Sequence, residues 1–363
     1  NAGVLNGINV DYWGTPTPIN QMAEVKVADA RSLTIAPWDA STVKDIEKAI
    51  NIAFLSEIEE RTGYSRKSAL SDKKWANNSM VVEMADEIVS YLIDMILPDH
   101  LLDSAMAPFC DFRFADLGDS MTFKLKNNGL FLVSKAGTRR KHSPVQRLYE
   151  GSATLVPELR QLSVATDLYE VVLGRENIAE LVYKAVLSIQ VSVYKDAYSA
   201  FDAVMESLSA PLVTVNPTEA QLIEACERVT AWNGGAKAVI IGTPIALKGV
   251  LPDNNNYRYT LEDNYVKIGY VSTFNGFDVI ALEQVADPYD TTTPYAMALR
   301  NDRIYVISPA TDKLVKVGFG GETMSYVDGD HDNANLLQIA TLTKAWDSQV
   351  ITNSIAWVGQ ITG

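Results

Sequence analysis

The chain has 363 residues, 47% of them apolar and 21% charged, a globular composition that excludes a disordered protein. That length accommodates two or three ordinary domains or one elaborate one. A net charge of −14 argues against a protein that wraps nucleic acid, because neutralising phosphates requires clustered Lys and Arg.

Residues 1–36 read as short alternating strands at 8–12, 23–27 and 32–35, the first two separated by the prolines of Gly14-Thr15-Pro16-Thr17-Pro18. Asp39-Ala40-Ser41-Thr42 leads into a helix with Val43, Ile46, Ala49 and Ile50 on one face, and the pattern continues through Ile52, Leu55 and Ile58. A second helix is predicted over 75–97, with Val82, Ala85, Val89, Leu92 and Ile96 as its stripe and Pro98 as its stop. Met121-Thr122-Phe123-Lys124-Leu125-Lys126 alternates as a strand, Asn127-Asn128-Gly129 turns the chain, and 130–133 returns it. Residues 155–167 again read mostly as strand.

The longest predicted element is a helix over about 178–208. Asn177 and Glu180 open it as a capping box, and Ile178, Leu181, Val182, Ala185, Ile189, Val193, Ala197, Phe201, Val204 and Leu208 form its apolar stripe. At 1.5 Å per residue it would run about 45 Å, long enough to act as the spine of a flat molecule. Pro211 and Pro217 bracket a break, and Thr218-Glu219 caps a shorter helix ending at Trp232. A buried strand at 236–242, a polar loop at 253–256, and strands at 266–271, 277–282, 304–308 and 314–317 follow. Residues 336–346 fit either helix or strand, and 350–361 is the last strand-like run.

Charge is unevenly spread. Between Ser120 and Tyr149 there is no Asp or Glu, yet Lys124, Lys126, Lys135, Arg139, Arg140, Lys141 and Arg147 are all present. The last third holds acidic clusters instead, at Asp287 and Asp290 and at Asp328, Asp330 and Asp332. A basic arm on an acidic body suits contact between neighbouring copies. A solvated basic hairpin explains the same charges, and DNA contact by the arm is a third option. Lys135, Arg139, Arg140, Lys141 and Arg147 are the candidate inter-subunit contact residues.

Nothing in the chain points to catalysis or to a cofactor. Cys110 and Cys226 have no CxxC partner and read as buried free thiols, consistent with a reducing cytoplasm. His100, His142 and His331 lack partners at metal-ligand spacing. Gly234-Gly235-Ala236-Lys237 and Gly318-Phe319-Gly320-Gly321 read as backbone turns. Asp328-Gly329-Asp330-His331-Asp332-Asn333 has Asn333 where a calcium loop needs Gly and Ile339 where it needs Glu, so it reads as a plain acidic turn. No apolar run approaches the roughly 18 residues that span a bilayer, so no membrane partner is expected. The start at Asn1-Ala2-Gly3 shows no signal-peptide pattern and lacks an initiator Met, which implies that something upstream was removed or is missing.

Two resemblances divide the chain near Asn51. Residues 10–21, Val10-Asp11-Tyr12-Trp13-Gly14-Thr15-Pro16-Thr17-Pro18-Ile19-Asn20-Gln21, and residues 37–50, with Pro37-Trp38-Asp39 and Lys44-Asp45-Ile46-Glu47-Lys48, resemble the small β-rich domain of ribosome recycling factor. The three-helix bundle by which that family engages the ribosome is mostly absent, so recycling activity is not implied. A fusion, a captured fragment or a sequence-assignment artefact would each account for the piece.

Residues 52–363 resemble the major capsid proteins of tailed bacteriophages, the Hong Kong 97-type fold, in the order of their elements. The stretches that carry this are Asp167-Leu168-Tyr169-Glu170-Val171-Val172 before the long helix and Tyr149-Glu150-Gly151-Ser152-Ala153-Thr154-Leu155-Val156-Pro157 returning from the basic arm. The resemblance implies an α+β protein: 1–51 as a recycling-factor-like fragment or N-terminal arm, 52–110 as a helical arm, 111–167 as an extended β-hairpin loop, 168–213 as spine helix and peripheral domain, 214–310 as axial domain, and 311–363 as the return to the peripheral domain. It further implies a structural protein, not an enzyme, without cofactors or metal. Such a protein assembles in the bacterial cytoplasm into hexamers and pentamers of an icosahedral phage head enclosing double-stranded DNA. Scaffold, portal and decoration proteins would be its further partners. An encapsulin-like nanocompartment shell and a translation factor are the alternatives.

Overall fold

The computed structural model describes residues 40–66, 74–102, 107, 109–116, 118–125, 131, 133, 145, 147, 151–166, 168–250, 269–282, 284–287, 295–309, 312–328 and 338–361. The strands expected within 1–36, the turn at 127–129, the loop at 253–256 and most of the acidic turn after Asp328 lie outside these residues, as do His142 and His331. In chain order the described elements are α1 (Ala40–Thr62), α2 (Ser79–Leu102), β1 (Cys110–Ala115), β2 (Met121–Leu125), β3 (Gly151–Leu155), β4 (Glu158–Thr166), α3 (Leu168–Val172) and α4 (Ile178–Glu206). They continue with β5 (Val213–Val215), α5 (Glu219–Trp232), β6 (Val239–Gly242), α6 (Pro244–Leu247), β7 (Thr273–Phe274), β8 (Phe277–Ala281) and β9 (Arg303–Ile307), and end with β10 (Val315–Asp328), β11 (Gln338–Val350) and β12 (Trp357–Gln360). The protein is α+β.

Two compact units share these elements. The first comprises the described parts of Asn1–Leu102, Glu158–Gln190 and Gly320–Ala345. In it α1 runs unbroken across Asn51, as its periodicity predicts, and buries Ile50, Phe54, Leu55 and Ile58. Asn51 is itself buried and is used at both ends of its amide. Its Nδ2 donates to the Glu176 carbonyl at 2.9 Å, and its Oδ1 accepts from the Ile178 N–H at 3.1 Å. Ile178 is the first residue of α4, where N–H groups have no partner within the helix. Asn177 Oδ1 takes the next one, from Ala179, at 3.1 Å, so two asparagines from different segments close the start of α4.

α2 begins at Ser79, because Asn78 Oδ1 accepts from the Met80 N–H and caps it, while Trp75 lies in a separate short helical stretch at 74–76 with its indole N–H on the Tyr64 carbonyl at 2.7 Å. Pro98 does not stop the helix. A proline in mid-helix costs about 3 kcal/mol, yet Leu97, His100 and Leu101 are buried on either side of it, and burying each leucine returns about 1.5–3 kcal/mol. Packing overrides the breaker. In the β4–β11–β10 part of the sheet order β1-β10-β11-β4, the buried Lys344 donates to Asp94 at 2.6 Å and to the Gly321 carbonyl at 2.8 Å. Asp94 also accepts from the Thr323 N–H and hydroxyl, so this buried ion pair has its hydrogen bonds filled.

The second unit comprises the described parts of Asp103–Pro157, Val191–Phe319 and Trp346–Gly363. Its centre is a six-stranded sheet in the order β5-β12-β9-β6-β8-β7, with β6 parallel to β8, β12 parallel to β5, and β9 antiparallel to both β6 and β12. One face carries α5 and α6 over Ile240, Val279, Ile304, Val306 and Trp357. Thr218 and Gln221 complete the capping box at the start of α5, where the sequence places a cap. Asn233, past the end of α5, exchanges two hydrogen bonds of 2.9 Å with the backbone of Ile355.

Several expected strands differ in extent. Of the expected strand at 266–271, residues 269 and 270 are bends and 271 is irregular, and the nearest strand is the short β7. The run at 314–317 leads into the much longer β10, and of the ambiguous 336–346 the described residues 338–346 are strand, within β11. Gly318-Phe319-Gly320-Gly321 is not a turn but lies inside β10. The strand β2 pairs with β3 rather than with 130–133, where Phe131 and Val133 are exposed outside any strand.

Two stability predictions follow from the first unit. Asn51→Ala removes both hydrogen bonds and leaves buried backbone groups unmatched, so urea denaturation should show a loss of about 1–3 kcal/mol. A change within error would mean that the clamp contributes nothing. Asp86 on α2 has its Oδ2 buried without a hydrogen-bond partner, and burial pushes its carboxyl up to about 6. The folded state therefore favours the protonated form. Its contribution is complete below about pH 4, falls as pH rises through about 6, and is constant above. Asp86→Asn should stabilise the protein at pH 7.5 by about 1–2 kcal/mol, screened for partial exposure, and leave it unchanged at pH 4. An equal gain at both pH values would exclude this titration as the cause.

Candidate assembly site

The candidate basic residues lie between β2 and β3. Lys135, Arg139, Arg140 and Lys141 fall outside the described residues, and Arg147 is exposed. What the structure places is the stem that carries them. β2 and β3 are antiparallel, with Met121 opposite Leu155, Phe123 opposite Ala153 and Leu125 opposite Gly151. Odd-numbered positions form one face and bury Met121, Phe123 and Leu155 against Ile351, while Thr122, Lys124, Ser152 and Thr154 face solvent.

This apolar face is held from the body of the second unit. The Arg113 guanidinium lies over the Phe123 ring at 4.1 Å, and the Lys316 ammonium approaches the same ring at 5.8 Å. Both cations are balanced, Arg113 by Asp111 at 3.1 Å and Lys316 by Asp312 at 2.7 Å and Asp111 at 3.5 Å. A cation over an aromatic face contributes about 0.5–2 kcal/mol, more as water is excluded. Next to it, Phe114 stacks on the buried Phe319 with centroids 5.0 Å apart, joining β1 to β10. The sequence marks Phe123 only as a strand residue. Its support by Lys316 was not legible, since the two lie far apart in the chain.

A second polar cluster lies between the sheet and the later part of α4, all within the second unit. Arg303, at the head of the buried β9, donates to Asp202 at 2.9 Å and to Glu206 at 2.5 Å. Tyr305 donates to Asp202 at 2.8 Å and meets the Tyr198 hydroxyl at 3.1 Å, and Arg300 bonds Glu206 at 2.7 Å. The hydrogen bond from Arg303 holds the Glu206 carboxyl below its usual range, and that from Arg300 does the same for Asp302. Burial pushes both tyrosines up. The signal in the sequence is Asp202 and Glu206 one helical turn apart, with Arg303 opening an otherwise apolar strand.

Burial raises the thiols of Cys110 and Cys226 to about 12, so neither is an available thiolate at neutral pH. Among the described residues no group of His, Cys, Asp and Glu is arranged to hold a metal, and no helix is long and apolar enough to cross a membrane. A groove of about 770 Å³ in the first unit, lined by Leu55, Leu162, Val164, Val171 and Leu181 among others, is rimmed by ion pairs such as Lys184–Glu180.

Comparison with known proteins gives two separate likenesses. Residues 1–58 match the ribosome recycling factor family. Over 55 residues the chain is 56% identical to the ribosome-recycling factor of Staphylococcus saprophyticus, covering 15% of this chain and 30% of that protein. Over 47 residues it is 62% identical to that of Desulfatibacillum aliphaticivorans, covering 13% and 25%. The chain thus spans less than a third of the length of these relatives. Among solved structures, the backbone is similar to the mature capsid of bacteriophage PhiM1, with TM-score 0.46 and 11% identity over 72% of this chain and 88% of that one. The capsid of Helicobacter pylori bacteriophage KHP30 gives 0.45 and 11% over 71% and 91%. The virus-like particle from Pyrococcus furiosus gives 0.43 and 11% over 74% and 98%.

Arg303→Met should cost about 2–3 kcal/mol by leaving Asp202 without its main counter-charge in a water-poor site. Thermal unfolding of the variant checks this, and a melting point unchanged from the parent would show that Arg300 alone suffices.

Proposed function

We propose that the chain is a structural shell subunit of the Hong Kong 97 type, the major capsid protein of a phage head. Its work is self-assembly into hexamers and pentamers of an icosahedral shell that encloses double-stranded DNA. The observation that carries the proposal is the stem. A two-stranded, body-anchored base at 121–125 and 151–155 brackets a segment holding Lys126, Lys135, Arg139, Arg140, Lys141 and Arg147 without any Asp or Glu up to Tyr149. Around it the elements follow the order such a subunit needs. Helices precede the arm, the 29-residue α4 follows it, a mixed sheet with two helices comes next, and the long strands β10 and β11 return the chain.

The mechanism is repetition of weak contacts. A chain of net charge −14 repels its own copies, and a basic arm supplies the opposite sign. Lys135, Arg139, Arg140, Lys141 and Arg147 would make that contact, each worth little alone and more when repeated around a closed shell. Scaffold, portal and decoration proteins belong to the same proposal, as does location in the virion after assembly in the host cytoplasm. The polar, ion-paired cluster of the second unit serves rigidity in this scheme.

The test is particle formation. Purified protein should sediment as megadalton particles, and nuclease-protected DNA in particles made during infection separates a phage head from a nanocompartment loaded with protein. Reversing Arg139, Arg140 and Lys141 to Glu should abolish closed particles while leaving the circular dichroism spectrum and melting point unchanged. Normal shells from the triple variant would remove this cluster from assembly. A monomer that co-sediments with ribosomes would replace the whole proposal with a translation-factor role based on residues 1–58.

A further inference from the structure

We infer that Gly318 is the positioning residue of the basic arm: its missing side chain is the seat on which the stem rests, and filling it would re-aim the arm. The inference rests on the shell proposal above. A Cβ built at Gly318 would stand 2.6 Å from Leu155 Cδ2, 2.7 Å from Met121 Sδ and 3.3 Å from Met121 Cε. Met121 and Leu155 are directly opposed across β2 and β3, so both members of one rung of the stem descend onto the same backbone spot. Gly318 is not among the glycines with positive φ, so its requirement is for space and not for a left-handed backbone.

The next rung fixes the tilt. Phe123, opposite Ala153, is held by Arg113 and by Lys316, and Lys316 lies two residues before Gly318 on the same face of β10. The stem is therefore gripped at two successive same-face positions, roughly 7 Å apart along the strand. Lifting one of them by about 1 Å, the distance needed to restore an ordinary carbon contact, rotates the stem by roughly 10°. Leu155 and Met121 meet the seat with the ends of flexible side chains, so a single methyl group can be absorbed by rotating them. A branched side chain fills the space those rotations would use, and the strand itself must move.

The experiment compares the parent, Gly318→Ala, Gly318→Val, and Gly318→Val combined with Leu155→Ala. Hydrogen exchange over 121–125 and 151–155 reads the seat, electron microscopy reads particle diameter and closure, and thermal melting reads the subunit. Gly318→Ala should resemble the parent. Gly318→Val should keep a folded subunit, lose stem protection, and lower the yield of closed particles of parental diameter roughly tenfold. Leu155→Ala should restore both readouts in the valine background by vacating the contested volume. Parental exchange and parental particles from Gly318→Val would overturn the inference. So would a particle defect that follows the melting point alone and is not rescued by Leu155→Ala. A parent chain that forms no particles would defeat the shell proposal instead. The exchange data would still decide whether Gly318 seats the stem, and unchanged protection in the valine variant would refute it.

Discussion

Strand β9 is buried on both faces, and the second unit is arranged around satisfying it. All five of its residues are buried, and it is hydrogen-bonded on one edge to β6 and on the other to β12. Ile304 and Val306 need apolar cover, which α5 and α6 supply. Arg303 and Tyr305 point the other way and need acceptors, because an unpaired buried cation costs several kcal/mol. That requirement sets the rotation of α4. Tyr198, Phe201, Asp202 and Met205 share a stripe at spacings of three, one and three residues, combining apolar fill with a carboxylate at the point where Arg303 and Tyr305 meet it. An apolar strand of the same length would accept many helix rotations, whereas this one accepts few.

The stem of the basic arm uses a different device. Its cover is small, being one strand pair over Ile351 with two cations on one ring, so precise seating has to come from steric fit and not from buried area. Glycine within a strand normally weakens it. At Gly318 the loss is offset by the close approach of Met121 and Leu155, which a side chain would forbid. Gly151 does the same on a lesser scale opposite Leu125, whose Cδ1 would stand 3.1 Å from an added Cβ. Such a rigid base orders the stem in advance, and a pre-ordered surface loses less entropy on binding.

What could be read from the sequence was local. The continuous α1, the start of α4, the capped α5 and the buried β6 rest on periodicity and caps within a few residues, and each was legible. Apart from the start of α2, which a local cap at Asn78 sets, the failures involve packing against partners far away in the chain. Pro98 looks like a stop until the buried Leu97 and Leu101 on either side of it are seen. The partner of β2 begins 26 residues after its end, while Phe131 and Val133 of the nearer run lie outside any strand. Gly318-Phe319-Gly320-Gly321 looks like a turn because glycine in a strand makes sense only once its neighbours are known. The charge pattern of the candidate site was plain in the sequence, while its support by Arg113, Lys316 and Gly318 was not.

The boundary near Asn51 is likewise different in structure and in sequence. Likeness to ribosome recycling factor extends to residue 58, past the point where the residue pattern changes. Yet Phe54, Leu55 and Ile58 are fully or nearly fully buried in the first unit, and the amide of Asn51 closes the first turn of α4. The last residues of the recycling-factor-like segment thus serve as core of the first unit, alongside segments much later in the chain. A flexible joint at Asn51 would lose this burial together with both hydrogen bonds. α1 instead continues without a break from Ala40 to Thr62. Asn51 therefore belongs, with Ile50, Phe54 and Ile58, to the packed core of the first unit.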